Sequence, residues 1–232
     1  MTTGMVYKTV IERERNLGYG GKCVEAVPHI PQEILKRMEI SVKKSKADVT
    51  VIEIGGTVGE YQNILFIEAA RILKLKNPSD AIFVLVSYLP IPGKIGEMKT
   101  KPTQYAVRTL NSYGVHPDII VARAEKVLDA RRKEKIADSA SINVDRIISA
   151  PDVESIYEVP LNFEKDGLST TILKLLDLKG RNGSDLVAWR SMVLKQKNAK
   201  KKIKIGVIGK YFKTGDFVLS DVYISIIESL KH

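Results

Sequence analysis

The sequence predicts an α/β protein in which a parallel sheet carries helices on both faces. Short apolar runs rich in β-branched residues alternate with segments of helical spacing, and such alternation forms parallel sheets with right-handed crossovers. The runs are apolar almost throughout, as in strands that are covered on both sides. The clearest of these predicted strands are residues 49–54, 81–89, 118–122 and 146–149.

Length and composition set the broad class. A chain of 232 residues with 44% hydrophobic and 28% charged residues has room for one large or two small globular domains. It contains no long uncharged apolar run and its N-terminus lacks a secretory signal, so we expect a cytoplasmic protein with no membrane segment. The single cysteine, Cys23, excludes an internal disulfide, and we expect it to be a small core residue.

The formal net charge of +10 indicates either nucleic acid or polyphosphate ligands, unless it serves only solubility. Part of the excess lies in residues 195–204, KQKNAKKKIK, which we interpret as an exposed linker. Aromatic residues make up only 6% of the chain and do not interleave with this basic run. A stacking platform for single strands is therefore poorly supported, and nucleic acid is not the expected partner.

The N-terminal region is predicted to contain a helix, a short strand and a second helix. Residues 5–15 have apolar side chains on one side and glycines soon after them, which favours a helix. Residues 22–27 form an apolar run that predicts a strand. Pro31 opens the second helix, since proline is tolerated in a first helical turn. The apolar stripe of that helix consists of Ile34, Leu35 and Met38.

The strand predicted at residues 49–54 carries one carboxylate, Glu53, and is followed by a glycine-rich turn at residues 55–59 and a helix at residues 63–75. Ligands bind beyond the carboxyl ends of the strands in open α/β sheets. A carboxylate is costly to bury there unless it is paired or binds a cation, and Mg²⁺ favours carboxylates together with substrate phosphates. Glu53 is thus a candidate Mg²⁺ ligand, the alternative being an ion pair with a nearby lysine.

A second candidate site follows the strand at residues 81–89. A Pro-rich loop leads into residues 96–104, GEMKTKPTQ, and then into a helix predicted at residues 105–113. Lysines beside a helix N-terminus suit phosphate, because unpaired amides and the helix dipole favour an anion there. A solvated turn is the alternative.

The alternation continues to the C-terminus. A helix is predicted at residues 129–140 between the last two strands, and Arg123, Lys135 and Asp152 fall near ends of elements at the expected ligand edge. Residues 169–178 are predicted to close the domain as a helix. Residues 186–192, which contain the only tryptophan, are predicted to form a further helix that docks on this domain. Residues 203–211 and 218–230 then predict one further strand and helix.

Several motifs, in order and with similar spacing, resemble the CTP synthase family. They are EIGGTVGE (53–60), GEMKTKPTQ (96–104), HPDIIVAR (116–123), KIA (135–137) and PDVESIYEVP (151–160), with IERER (11–15) and VPHIPQEI (27–34) also similar. The resemblance implies an amidoligase domain of the P-loop NTPase-like, dethiobiotin synthetase-like kind over residues 1–180. A linker at residues 181–202 and the beginning of a class I glutaminase α/β domain at residues 203–232 would follow.

The family uses ATP to phosphorylate the carbonyl oxygen at C4 of the uracil of UTP, and ammonia then displaces the phosphate from C4 to give CTP. The resemblance implies Mg²⁺ as the cofactor, ATP, UTP and glutamine or ammonia as substrates, GTP as an activator and a homotetramer. It implies Mg²⁺ binding by Glu53 and ATP binding near Arg123, Asp152 and Val153. The residues matching the UTP/CTP-binding positions are Glu60, Tyr61, Gln62, Lys99, Thr100, Lys101, Pro102, Thr103, Gln104 and Lys135.

The sequence also departs from the family pattern. It contains no GxxxxGK[ST] phosphate loop and no early Mg²⁺-binding Asp, and the glutaminase Cys, His and Glu would lie beyond residue 232. Glu60-Tyr61-Gln62 replaces the usual Asp-Ile-Glu and Asp138-Ser139 replaces the usual aromatic residue, changes that bear on uracil affinity and on feedback by CTP. We therefore expect a fragment that is inactive by itself. The alternative is a non-catalytic paralogue that binds pyrimidine nucleotides or assembles with intact subunits.

Overall fold

The computed structural model describes residues 1–93, 96–180, 186–201, 203–210, 213–214, 217–218 and 223–231. The helices in these ranges are α1 (Thr3–Arg15), α2 (Ala26–Ser45), α3 (Ile64–Lys76), α4 (Lys101–Ser112), α5 (Ala130–Ala140), α6 (Val159–Lys165), α7 (Leu168–Leu175), α8 (Val187–Lys197) and α9 (Ile224–Lys231). The strands are β1 (Val84–Tyr88), β2 (Ile119–Ala124), β3 (Ile147–Pro151), β4 (Lys213–Thr214) and β5 (Phe217–Val218). Short 3₁₀ turns at Tyr61–Asn63, Val144–Arg146 and Ile156–Glu158 precede α3, β3 and α6.

The first three strands form one parallel sheet in the order β1-β2-β3. Helix α4 connects β1 to β2 and α5 connects β2 to β3, as expected for parallel strands joined by helical crossovers. The predicted α/β class and the strands at 81–89, 118–122 and 146–149 are confirmed, each with shifted ends. The predicted helices at 63–75, 129–140, 169–178 and 186–192 are confirmed as α3, α5, α7 and α8.

The two faces of the sheet are covered unequally. Leu85, Ile120 and Ile147 pack on one face with side chains of α4 and α5, while Ile119 and Ile148 pack on the other with α6 and α7. Val86 is level with Val121 in the register and so lies on that second face, yet 64% of it is exposed. Within the described residues, the predicted helical cover of both faces is therefore complete over β2 and β3 but not over β1.

The N-terminal helices build a core of their own. Val6 and Val10 of α1 pack against Ile34 of α2 and Ala69 of α3. The start of α1 is fixed by Thr2, whose side-chain oxygen accepts a hydrogen bond from the Met5 amide at 3.4 Å, the usual role of an N-cap threonine. The predicted first helix is confirmed, although the Met5 and Ile11 side chains on its expected apolar side are exposed.

The two predicted N-terminal strands are wrong. Residues 22–25 have no regular structure and α2 begins at Ala26, with Val27 outside helical dihedral angles. Residues 49–54 also form no strand, and Val51 is 93% exposed. An apolar run becomes a strand only when a neighbour pairs with its backbone, and among the described residues no strand pairs with this one. Cys23, expected in the core, is exposed.

The C-terminal segment departs from its prediction in a similar way. Residues 203–210 contain no strand, and Ile208 is fully exposed; residue 211 lies outside the described part of the chain. Backbone pairing of β4 with β5 is antiparallel. Of the helix predicted at residues 218–230, Val218 belongs instead to β5, and α9 covers Ile224–Lys231. In the described part of the chain, no helix has the length and apolar character needed to cross a membrane.

Candidate functional site

The first candidate site is the lysine loop, by which we mean residues 96–101. This loop follows β1 and leads into α4, which begins at Lys101 rather than at residue 105. The Lys99 amide donates to the Pro90 carbonyl at 2.9 Å, and Arg132 Nε of α5 donates to the Met98 carbonyl at 3.1 Å. The Met98 side chain is also buried in the core. The loop is therefore held by hydrogen bonds to its backbone and by a buried side chain.

Two residues of the predicted UTP/CTP set face the protein interior. Thr103 is fully buried and its Oγ1 lies 2.9 Å from Ser87 Oγ at the end of β1. Thr100 is also buried, and its Oγ1 accepts a hydrogen bond from Gln104 Nε2 at 3.2 Å. The Thr103 hydroxyl thereby joins the first turn of α4 to the sheet, whereas the Thr100 hydroxyl bonds within the start of α4 itself. Elsewhere in this segment, Glu97, Lys101 and Pro102 are exposed, and Lys99 and Gln104 are half-buried.

Glu97 lies among three cationic side chains of this site. Its Oε2 is 2.6 Å from Lys99 Nζ and its Oε1 is 3.6 Å from an Arg132 guanidinium nitrogen. The Lys99 hydrogen bond and charge, followed by the charges of Arg132 and Lys135, hold the pKa of Glu97 below its ordinary value. Lys135, which the sequence placed at the ligand edge, is therefore within electrostatic reach of the lysine loop.

Arg123 and Asp152 form an ion pair at the same edge of the sheet. An Arg123 guanidinium nitrogen donates to Asp152 Oδ1 at 3.0 Å, and both side chains are exposed. The Arg123 carbonyl accepts a hydrogen bond from the Leu89 amide at 2.8 Å, so Arg123 lies directly beside the end of β1. Val153 follows, half-buried. The structure thus brings the predicted ATP residues to the carboxyl edge of the strands, where α/β proteins bind ligands.

Glu53 occupies a separate pocket of about 300 Å³ at the N-terminus of α1. Thr2, Thr3, Gln62 and Asn63 line the pocket with Glu53, and all of them carry side-chain oxygens, the donor atoms that Mg²⁺ prefers. In the described residues, no group of three or more His, Cys, Asp or Glu side chains is arranged to hold a metal. The donor set fits Mg²⁺ only if substrate phosphate oxygens complete the coordination.

The glycine turn, residues 55–59, is braced by Glu60. A Glu60 carboxylate oxygen accepts from the Thr57 amide at 3.0 Å, and Gln62 Nε2 donates to the other oxygen. These hydrogen bonds lower the pKa of Glu60, the one from Thr57 most. Gly56 has φ +91°, and a Cβ at this position would lie 2.9 Å from Glu60 Oε2. Glu60 and Gln62 thus bond to each other, whereas Tyr61 is 93% exposed.

Arg132 and Glu97 were not among the predicted site residues. Glu97 lies inside the GEMKTKPTQ motif. The sequence therefore indicated where Glu97 lies, but not that it pairs with Lys99 and Arg132. Arg132 depends on α5 packing beside a loop that lies more than thirty residues earlier in the chain. The local signal was Asp129, which caps α5 by accepting from the Arg132 amide at 2.9 Å and also pairs with the Arg132 side chain.

Comparisons with known proteins agree with the motif resemblance. A family model described as "CTP synthase N-terminus" matches residues 1–178. Proteins named CTP synthase from Thermococcus gammatolerans, Methanosphaera stadtmanae and Pyrococcus furiosus are each 44% identical to this chain over its whole length. The chain spans 42%, 43% and 42% of these relatives, respectively, which is less than half of their length.

Proposed function

We propose that this chain, which belongs to the CTP synthase family, supplies the pyrimidine-nucleotide side of an ATP-dependent ligase that aminates UTP to CTP. One observation carries the proposal most directly. Lys99 precedes α4 and Lys101 opens it, the charge of the exposed Lys135 acts on Glu97 in the same loop, and the first turn of α4 contains no acidic residue. Cations and helix amides that converge in this way favour a polyphosphate.

The division of roles follows the geometry. Lys99, Lys101 and Lys135 bind the phosphates of UTP or CTP, and the Thr100 and Thr103 hydroxyls act indirectly by fixing the start of α4. Tyr61, which is exposed beside the glycine turn, offers a flat ring to the pyrimidine. Glu60 acts by holding that turn closed.

ATP binding is assigned to the edge formed by β2 and β3. The Arg123–Asp152 pair is exposed, so Arg123 is available to a phosphate and Asp152 to a ribose hydroxyl. Glu53 would hold Mg²⁺ together with phosphate oxygens, and the ion would neutralise charge on the transferred phosphoryl group. Ammonia, from glutamine or free in solution, would then displace the phosphate from the uracil.

We expect the 232 residues alone to form no CTP. Phosphoryl transfer depends on electrostatic clamping of the moving group, and the sequence contains no GxxxxGK[ST] loop. A second candidate function is non-catalytic assembly with complete subunits of the family, up to the expected tetramer. The uncovered side of β1, with Val84, Val86 and Tyr88 exposed, favours this candidate because such a face invites a partner.

Calorimetric titration of UTP into the purified chain tests the proposal. We expect saturable binding that Lys101→Ala weakens, while Lys36→Ala, at an exposed position of helix α2, removes the same charge and leaves binding unchanged. Failure of UTP to bind would remove the proposed nucleotide role. Chromatography of a reaction with UTP, ATP, Mg²⁺ and ammonia tests inactivity, and turnover that is lost in Glu53→Ala would contradict it.

A further inference from the structure

The carboxylate of Glu97 stands where an anionic ligand of the lysine loop would place its charge. Its two oxygens lie 2.6 Å from Lys99 Nζ and 3.6 Å from Arg132. A phosphate uses the same type of charge-assisted hydrogen bonds from the same cations. Lys99 is therefore already paired with an acid from its own chain.

The pair is placed so that it can be opened. Glu97 is 56% exposed and Lys99 37% exposed by side chain, and exposed ion pairs contribute little stability. The backbone around them is fixed independently, by the hydrogen bond from the Lys99 amide to Pro90 and by the one from Arg132 to the Met98 carbonyl. Lys99 can thus exchange one anionic partner for another by rotating its side chain, without moving the loop.

We propose that Glu97 is an internal counter-ion of the phosphate site, which holds Lys99 in the ligand-free protein and gives it up when a nucleotide phosphate binds. Glu97 thereby weakens the affinity of the site for the nucleotide and raises the selectivity of the site among anions. A ligand must present enough negative charge to displace a carboxylate, so that polyphosphates are accepted and singly charged anions are rejected. Arg132 is the positioning residue that keeps the carboxylate in place. The inference rests on the proposed nucleotide-binding role of the lysine loop.

The test is a double-mutant cycle measured by calorimetry on the full chain, with UTP and inorganic tripolyphosphate as separate probes. Glu97→Gln removes the competing charge and keeps the shape, so we expect binding to tighten by about threefold to tenfold. Lys99→Ala weakens binding. Because the effect of Glu97 passes through Lys99, Glu97→Gln in the Lys99→Ala background gains much less. Glu134→Gln removes one negative charge from exposed α5 surface and controls for net charge.

Each outcome of this cycle decides something. Tighter binding that depends on Lys99 supports the counter-ion role. An equal gain with and without Lys99 overturns it, because the effect would then come from general electrostatics, and no gain at all overturns it too. Tripolyphosphate binding with the expected cycle but no UTP binding would sustain the inference while removing the proposed nucleotide function. If neither probe binds any variant, both ideas fail. Thermal unfolding of each variant confirms that the loop region remains folded.

Discussion

The hydroxyl oxygens of Ser87 and Thr103 lie 2.9 Å apart and join the end of β1 to the first turn of α4. Thr103 is fully buried, so its hydroxyl depends on this partner. The two residues fix where α4 starts relative to the sheet, and hence where Lys99 and Lys101 stand. A contact between two small side chains thus adds to the hydrogen bonds at Pro90 and Met98 that position the candidate phosphate site.

We expect Ser87→Ala to lower the free energy of unfolding by about 1–2 kcal/mol, because it leaves a buried hydroxyl without its partner. Replacing both hydroxyls, as in Ser87→Ala with Thr103→Val, should recover much of that loss, since neither polar group is then left buried and unpaired. Urea unfolding monitored by circular dichroism measures both values. An additive loss in the double variant would show that the hydrogen bond is not the relevant interaction.

Arg132→Ala should loosen the lysine loop. The substitution removes the hydrogen bond to the Met98 carbonyl and the cation beside Glu97. We expect amide hydrogen exchange over residues 97–100 to accelerate by about tenfold. This factor corresponds to the free energy of one hydrogen bond that involves a charged group. Arg131→Ala removes an exposed arginine from the same helix and serves as the control. Equal exchange in the two variants would contradict an anchoring role for Arg132.

Because the pKa of Glu97 is lowered, the contribution of this side chain to folding stability depends on pH. Because the pKa in the folded protein lies below the ordinary value of 4.5, the stabilisation is present above that value. It is lost as the pH falls through the folded pKa. Lys99→Ala should raise the pKa of Glu97 toward its ordinary value, as measured by carboxyl-carbon NMR. Glu39, whose pKa is lowered by Lys43, is the internal control and should not change. An unaltered Glu97 titration would mean that Lys99 is not its main partner.

Gln196 links the loop after β3 to the last helix. Its Oε1 accepts from Ser155 Oγ at 3.0 Å and its Nε2 donates to the Lys231 carbonyl at 3.1 Å. We expect Gln196→Ala to increase hydrogen exchange in α9 by about threefold to tenfold, because one substitution removes both bonds. Lys195→Ala, at the exposed neighbouring position on α8, is the matched control. If α9 exchanges equally in both variants, then other contacts hold it, such as the Tyr157 hydroxyl on the Glu228 carbonyl.

The parts of the fold that were predictable from the sequence are those set by local signals. The strands of the sheet are short β-branched runs, and α5 has a capping aspartate and a narrow buried stripe at Ile136 and Ala137. The two N-terminal strand predictions failed because pairing is not local. Residues 49–54 have the composition of a buried strand, but composition does not supply the neighbour that would pair with it.

The candidate site was predictable at the level of segments and not of side-chain roles. The lysine loop and Arg123 do lie at the carboxyl edge of the sheet. The start of α4 at Lys101 rather than at residue 105, however, turns Thr100 and Thr103 inward. Their role therefore changes from the expected ligand contact to support. The Glu97–Arg132 contact could not be read from the sequence because it depends on how α5 packs against the loop.

Helix α3 belongs to two cores at once, with Ile67 in the sheet core and Ala69 in the core of the N-terminal helices. A region that shares a rigid helix with its neighbour does not melt alone, because losing either set of contacts exposes the other side of that helix. We therefore expect the N-terminal helices and the sheet to unfold as one cooperative unit. A single calorimetric transition is expected for them, and a cavity made at Ile67 would destabilise both cores.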